Sequence, residues 1–116
     1  MFPLPYSRSD TALVLIDMQT DFLCADGRLG SKYDIATLDM LKSTTASVGK
    51  LLAAARKAGL TIAHSRSHRY GASVRVDLAR SDPLDEGYEL VPELRALPGE
   101  IVVDKWTFGA FGYTTY

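Results

Sequence analysis

Two short unbroken apolar runs in this chain, one near each end, stop abruptly at charge. The first, Ala12-Leu13-Val14-Leu15-Ile16, stops at Asp17 and continues as Met18-Gln19-Thr20-Asp21-Phe22. The second, Ile101-Val102-Val103, stops at Asp104-Lys105. Short continuous apolar runs bounded by polar residues are the pattern of strands buried in a parallel sheet. Open α/β sheets hold their ligands at the carboxyl rim, which is where these charges would stand.

The pattern predicts strands over residues 11–17, 60–64 and 100–104. Between the first two, Leu38, Leu41, Thr45, Val48, Leu52 and Ala55 recur at steps of three and four, while Lys42, Ser43, Lys50 and Lys57 lie off that face. This predicts an amphipathic helix over residues 37–58, with Thr37 as N-cap and Gly59 as its stop. Strand, helix and strand then make a βαβ unit with parallel strands. Residues 1–10, with Pro3 and Pro5, read as an irregular arm, and 21–34, with Gly27 and Gly30, as a loop. From 65 to 98 the pattern weakens, with at most a short helical turn over 91–97. The expected fold is α/β, a doubly wound parallel sheet. One long helix cannot cover both faces of such a sheet, so the 116 residues read as the first half of a single domain that is incomplete at its C-terminal end.

Composition narrows the function classes. Hydrophobic residues make up 47% and charged residues 23%, as in a globular chain. Thirteen basic against fourteen acidic residues, a net charge of −1 without like-charge blocks, leave no footprint for nucleic acid or an anionic membrane. No apolar run approaches the ~20 residues of a membrane helix, and the start lacks the pattern of a secretory signal. The single cysteine, Cys24, forms no internal disulfide, and a cytoplasmic setting is expected.

Asp17 has three readings: acid or base, phosphate or metal ligand, or cap of the following turn. Asp21 could assist Asp17 or cap a turn, the second being the commoner role. Lys105 at a buried rim costs desolvation unless paired, and Asp17 is its natural partner. Such a pair would promote deprotonation of a thiol or water between them; it would equally serve as a structural ion pair, and both readings stand. The contact is expected if strands one and three are neighbours. His64 and His68 have an H-x-x-x-H spacing that marks zinc only on a helix, so no metal is expected here. Arg66 is a candidate substrate contact. Cys24 has no basic neighbour except Arg28 and reads as packing. Trp106, Phe108, Phe111 and Tyr113 could wall a pocket beside Lys105, and Thr114 could cap a further helix.

Asp17-Met18-Gln19-Thr20-Asp21-Phe22, the helix end Leu51-Leu52-Ala53-Ala54-Ala55-Arg56-Lys57-Ala58-Gly59, His64-Ser65-Arg66, Glu89-Leu90-Val91-Pro92-Glu93-Leu94, Val102-Val103-Asp104-Lys105 and Gly109-Ala110-Phe111 together resemble the isochorismatase-like cysteine hydrolases. The resemblance runs from about residue 10 to the last residue. It implies a cofactor-free hydrolase of a C–N bond in a small amide or ureido compound, acting as a homo-oligomer. The family's catalytic Asp and Lys fall on Asp17 and Lys105, with Phe22, Arg66 and Phe111 as substrate-binding positions. Its nucleophilic Cys follows a fourth strand that these residues do not include, and Cys24 does not match it. The 116 residues alone are therefore expected to be inactive. Ser65-Arg66-Ser67-His68 lacks the D-x-H of metal-dependent nicotinamidases, which disfavours nicotinamide, while the loop His64-Ser65-Arg66-Ser67-His68-Arg69 and the Phe111 region resemble members acting on biuret, ureidoacrylate or similar carbamoyl compounds. The alternatives are an isochorismatase-type enol-ether hydrolase and a non-catalytic chain that pairs with another. A receiver-like signalling domain ranks last, because it needs five strands.

Overall fold

The computed structural model describes residues 5–67, 87–105 and 109–111. His68, Trp106, Phe108, Tyr113 and Thr114, and Pro3 in the N-terminal arm, lie outside them. Three strands, β1 (Ala12–Ile16), β2 (Thr61–Ser67) and β3 (Ile101–Lys105), form one parallel sheet in the order β1-β2-β3. The condition set for an Asp17–Lys105 contact, neighbouring first and third strands, is not met: β2 lies between them. β2 also runs three residues beyond the expected His64, where the backbone of Ser65 and Ser67 pairs with Asp17, Gln19 and β3.

A short helix, α1 (Thr20–Leu23), follows β1 in place of the start of the expected loop. The sequence gives α1 no periodicity; what holds it is Asp21, buried, whose Oδ1 accepts from the Arg28 N–H at 3.1 Å while its carbonyl accepts from Leu29 at 2.9 Å. Gly30 closes this turn against the chain: a Cβ there would stand 1.8 Å from the Cys24 carbonyl oxygen.

The long helix α2 (Ile35–Lys57) begins earlier than expected. Asp34, not Thr37, is its N-cap, and the Asp34 carboxylate accepts from the Thr37 N–H at 2.8 Å. At the other end Gly59 has φ 77°, with Gly59 and Leu60 N–H groups bonded to the Arg56 and Ala55 carbonyls, both at 3.1 Å. That is the double closure of a Schellman cap, and a glycine takes its left-handed backbone without strain.

The strand period of two assigns the faces. Leu15 and Ile62 turn toward α2 and pack with Leu52, Ala55, Val91 and Leu94 in the core, Leu94 being supplied by a 3-10 turn, Pro92–Leu94. Val14, Ile16, Ala63, Ser65, Val103 and Lys105 lie on the opposite face. There Val14 is 53% and Ile16 65% exposed, since no described helix covers that side. Among the described residues, no helix is long and apolar enough to cross a membrane.

Candidate active site at the carboxyl rim

The chain leaves β1 abruptly. Asp17 has φ 55°, the left-handed region that a side chain with a Cβ seldom enters. Its N–H is held by the Ser65 carbonyl at 3.1 Å and by Ser65 Oγ at 3.3 Å, and its carbonyl accepts from the Gln19 N–H at 2.8 Å. This bend turns the Asp17 carboxylate over the end of β2. Ser65 Oγ donates to Asp17 Oδ1 at 2.8 Å, and Lys105 Nζ reaches Asp17 Oδ2 at 3.0 Å.

Asp17 and Lys105 therefore meet across an intervening strand. The sheet places β1 and β3 about two strand spacings apart, roughly 9.6 Å. The long lysine stem covers that distance to bring Nζ to the Asp17 carboxylate. Lys105 is 5% exposed and the Asp17 carboxylate about three-quarters buried, so each charge offsets part of the solvation the other has lost.

A cleft of about 240 Å³ opens beside the pair, lined by Val14, Ile16, Val103, Lys105, Ala110 and Phe111 among others. Phe111, 80% exposed, stands at its mouth. Phe22 lies half-buried on α1 and is not among the residues lining this cleft.

Arg66 points to the other face of the sheet from Ser65 and Lys105. Its guanidinium pairs bidentately with Asp104, at 2.7 and 3.0 Å, bonds Glu89 and lies 5.0 Å over the Tyr88 ring. Tyr88 Oη in turn donates to Asp104 at 2.6 Å. Burial, followed by the Asp104 hydrogen bond, pushes the Tyr88 hydroxyl far above its ordinary range and keeps it a donor. Arg66 is thus tied into a polar lock that fastens the end of β3 to segment 87–91, and the structure does not bring it to the Asp17–Lys105 cleft.

Segment 87–91 is also fastened to the rim. Thr20, Asp21 and Val91 N–H groups bond the carbonyls of Glu89, Gly87 and Met18. At the centre is Gln19, fully buried, whose Nε2 donates to the Ser67 and Tyr88 carbonyls and whose Oε1 accepts from the Ser67 N–H. Neither Gln19 nor Ser65 stands out as functional from sequence alone. The available signals are the place of Gln19 between Asp17 and Asp21 and the two small residues alternating with His64 and Arg66.

Cys24 lies on the α2 side, packed against the core, and lines a separate cavity with Leu38, Lys42, Val91 and Glu93. Burial, then the nearby Asp26 and Glu93 carboxylates, pushes its thiol up, away from thiolate character. His64 is fully buried beneath the sheet, 3.4 Å from Glu100, and not in a metal cluster; among the described residues no group of three or more metal-ligating side chains occurs.

A parallel sheet with a carboxylate–ammonium pair at its carboxyl rim, opening on a small cleft, defines the class as an open α/β protein with a polar site at its sheet edge. Residues 11–116 match the model of the Isochorismatase domain, and the chain belongs to the isochorismatase-like hydrolase family. The ureidoacrylate amidohydrolase of Pseudomonas syringae pv. syringae is 30% identical over 134 residues, covering 94% of this chain and 53% of that protein. The ureidoacrylate amidohydrolase of Variovorax paradoxus is 28% identical over 137 residues, covering 97% and 53%. A solved cysteine hydrolase from Pseudomonas syringae pv. phaseolicola superposes with a TM-score of 0.70 at 26% identity, over 97% of this chain and 54% of that one. The chain spans about half the length of the relatives it matches.

Proposed function

We propose that this chain carries the acid–base half of a hydrolase that cleaves a C–N bond in a small amide, ureido or carbamoyl compound. The observation that carries the reading is the Asp17 Oδ2–Lys105 Nζ contact of 3.0 Å beside the open cleft. Two relatives that act, by name, on ureidoacrylate support the substrate class.

In this reading a cysteine thiol outside these residues, not Cys24, gives its proton to Asp17, and Lys105 stabilises the resulting thiolate. The sulfur adds to the substrate carbonyl carbon, and Asp17 returns the proton to the departing nitrogen as the C–N bond breaks. Water then hydrolyses the thioester, restoring the thiol and releasing the acid. Phe111 would pack on the substrate in the cleft. Phe22 has a supporting place beside the rim, and Arg66 holds Asp104 rather than substrate. The expected setting is cytoplasmic and the expected assembly a homo-oligomer, whose state sedimentation would measure.

The test is ammonia release from ureidoacrylate and biuret by the protein as its source produces it, with its intact mass determined first. Asp17→Asn and Lys105→Met should each lower kcat by about 10²–10⁴-fold. Unchanged rates in both variants would remove the pair from the chemistry. Hydrolysis of an enol ether but of no amide would move the substrate class, and absence of any turnover would favour a non-catalytic role.

A further inference from the structure

The Asp17–Lys105 pair belongs to two strands that do not touch, so something other than their own pairing must set its geometry. The residue in between is Ser65 of β2, in register with Ile16 on one side and Val103 on the other. It is 5% exposed, and it contacts Asp17 three times: its carbonyl accepts from the Asp17 N–H, its Oγ accepts from the same N–H, and the Oγ hydrogen goes to Asp17 Oδ1.

These contacts do separate things. The two at the backbone hold Asp17 in its left-handed conformation, which has an intrinsic cost for a residue with a Cβ. The third occupies one carboxylate oxygen, and the geometry then leaves the other, Oδ2, to face Lys105. A carboxylate has a broad torsion about its last bond. Without the hydroxyl, it could swing so that either oxygen, or neither, met the ammonium.

We propose that Ser65 is a positioning residue of the site: its hydroxyl fixes the rotation of the Asp17 carboxylate. This rests on the hydrolase reading only for its catalytic consequence; the geometric claim stands apart from turnover. Ser65 touches neither the reacting atoms nor substrate in this scheme and acts through Asp17.

The experiment reads both levels. In isotope-labelled protein, the ¹H–¹⁵N signal of the Lys105 ammonium reports whether that group is held and shielded from exchange. It should be present in the natural sequence and absent in Asp17→Asn. Ser65→Ala should lose or strongly broaden it while the backbone amide spectrum stays folded. Ser65→Thr, which keeps the hydroxyl, should restore it, and the isosteric Ser65→Val should not. An ammonium signal unchanged in both Ser65→Ala and Ser65→Val overturns the proposal, and so does one lost equally in Ser65→Thr.

Where turnover is measurable, Ser65→Ala should lower kcat by up to about 10²-fold with KM little changed, the signature of a misplaced group rather than a lost substrate contact. Loss of the ammonium signal with no turnover in the natural protein would retain the positioning role and discard the hydrolase reading. Undiminished kcat in Ser65→Ala would discard the positioning role and leave that reading in place.

Discussion

Gln19 makes to Ser67 the pair of hydrogen bonds that an adjoining strand would make. Its Nε2 donates to the Ser67 carbonyl at 3.0 Å and its Oε1 accepts from the Ser67 N–H at 2.7 Å. A side-chain amide therefore extends the sheet by one rung beyond the end of β1. The same Nε2 donates to the Tyr88 carbonyl at 2.7 Å, so one buried group ties β1, β2 and segment 87–91 together.

Gln19→Leu fills the same space but leaves two carbonyls and an N–H without this partner. It should cost about 2–4 kcal/mol, since each buried polar group left unsatisfied costs about 1–3 kcal/mol and the neighbours relax in part. Urea unfolding gives the number. Limited proteolysis should cut within 87–91 first, and a variant as stable as the natural sequence would show that the amide is dispensable.

The Asp17–Lys105 pair should show coupling in a double-mutant cycle. Asparagine tolerates the left-handed backbone, so Asp17→Asn removes charge with little new strain. Combined with Lys105→Met, it should be less damaging than the sum of the single changes by about 1.5–3 kcal/mol, the range for hydrogen bonds to charged groups. Additive unfolding free energies would mean that the two groups ignore each other.

Glu100 ties the start of β3 to α2. Arg56 binds it through Nε at 3.1 Å and Nη2 at 2.7 Å, and the Leu97 N–H donates to it at 2.7 Å. The Arg56 hydrogen bonds chiefly, joined by those of Leu97 and His64, hold the carboxyl down to about 2, against an ordinary 4.5. A carboxyl depressed in the folded state stabilises it above the unfolded pKa, and that contribution fades as pH falls from about 4.5 toward 2. The stability gap between the natural sequence and Glu100→Gln should thus be full at neutral pH and close across that window. A gap that stays constant with pH would show that the charge is not what Glu100 contributes.

Cys24 should behave as a packed side chain. With its thiol pushed up by burial and by Asp26 and Glu93, alkylation by iodoacetamide at neutral pH should be slower than that of a small-molecule thiol. Cys24→Ala should leave the ammonium signal of Lys105 unchanged. Rapid, stoichiometric alkylation that disturbed the rim would instead make Cys24 a candidate nucleophile.

Much of the fold is legible because burial repeats. The apolar runs at 12–16 and 101–103 and the three-and-four spacing along α2 each report one buried face, and Gly59 announces the helix stop through its backbone. The rim is less legible because it is assembled from distant segments. Asp17 and Lys105 are visible as strand-end charges, yet strand order is not written in the sequence, and the fold puts β2 with Ser65 between them. Arg66 carries no local mark that distinguishes a substrate contact from a lock; only the folded chain brings Asp104, Glu89 and Tyr88 around it. Asp34 lost to Thr37 as the expected cap because Ile35 and Ala36 are exposed on the first turn and lie outside the periodic pattern.

The bend at residue 17 sets two demands on one position. A left-handed backbone is most readily accepted by glycine, and after it by asparagine or aspartate. A partner for the Lys105 ammonium must be an anion. Glycine and asparagine meet the first demand and fail the second; glutamate meets the second and is a poor fit to the first. Aspartate satisfies both, so in a saturation screen this position should accept almost no replacement, and the few survivors should sort by whether the screen selects for folding or for chemistry.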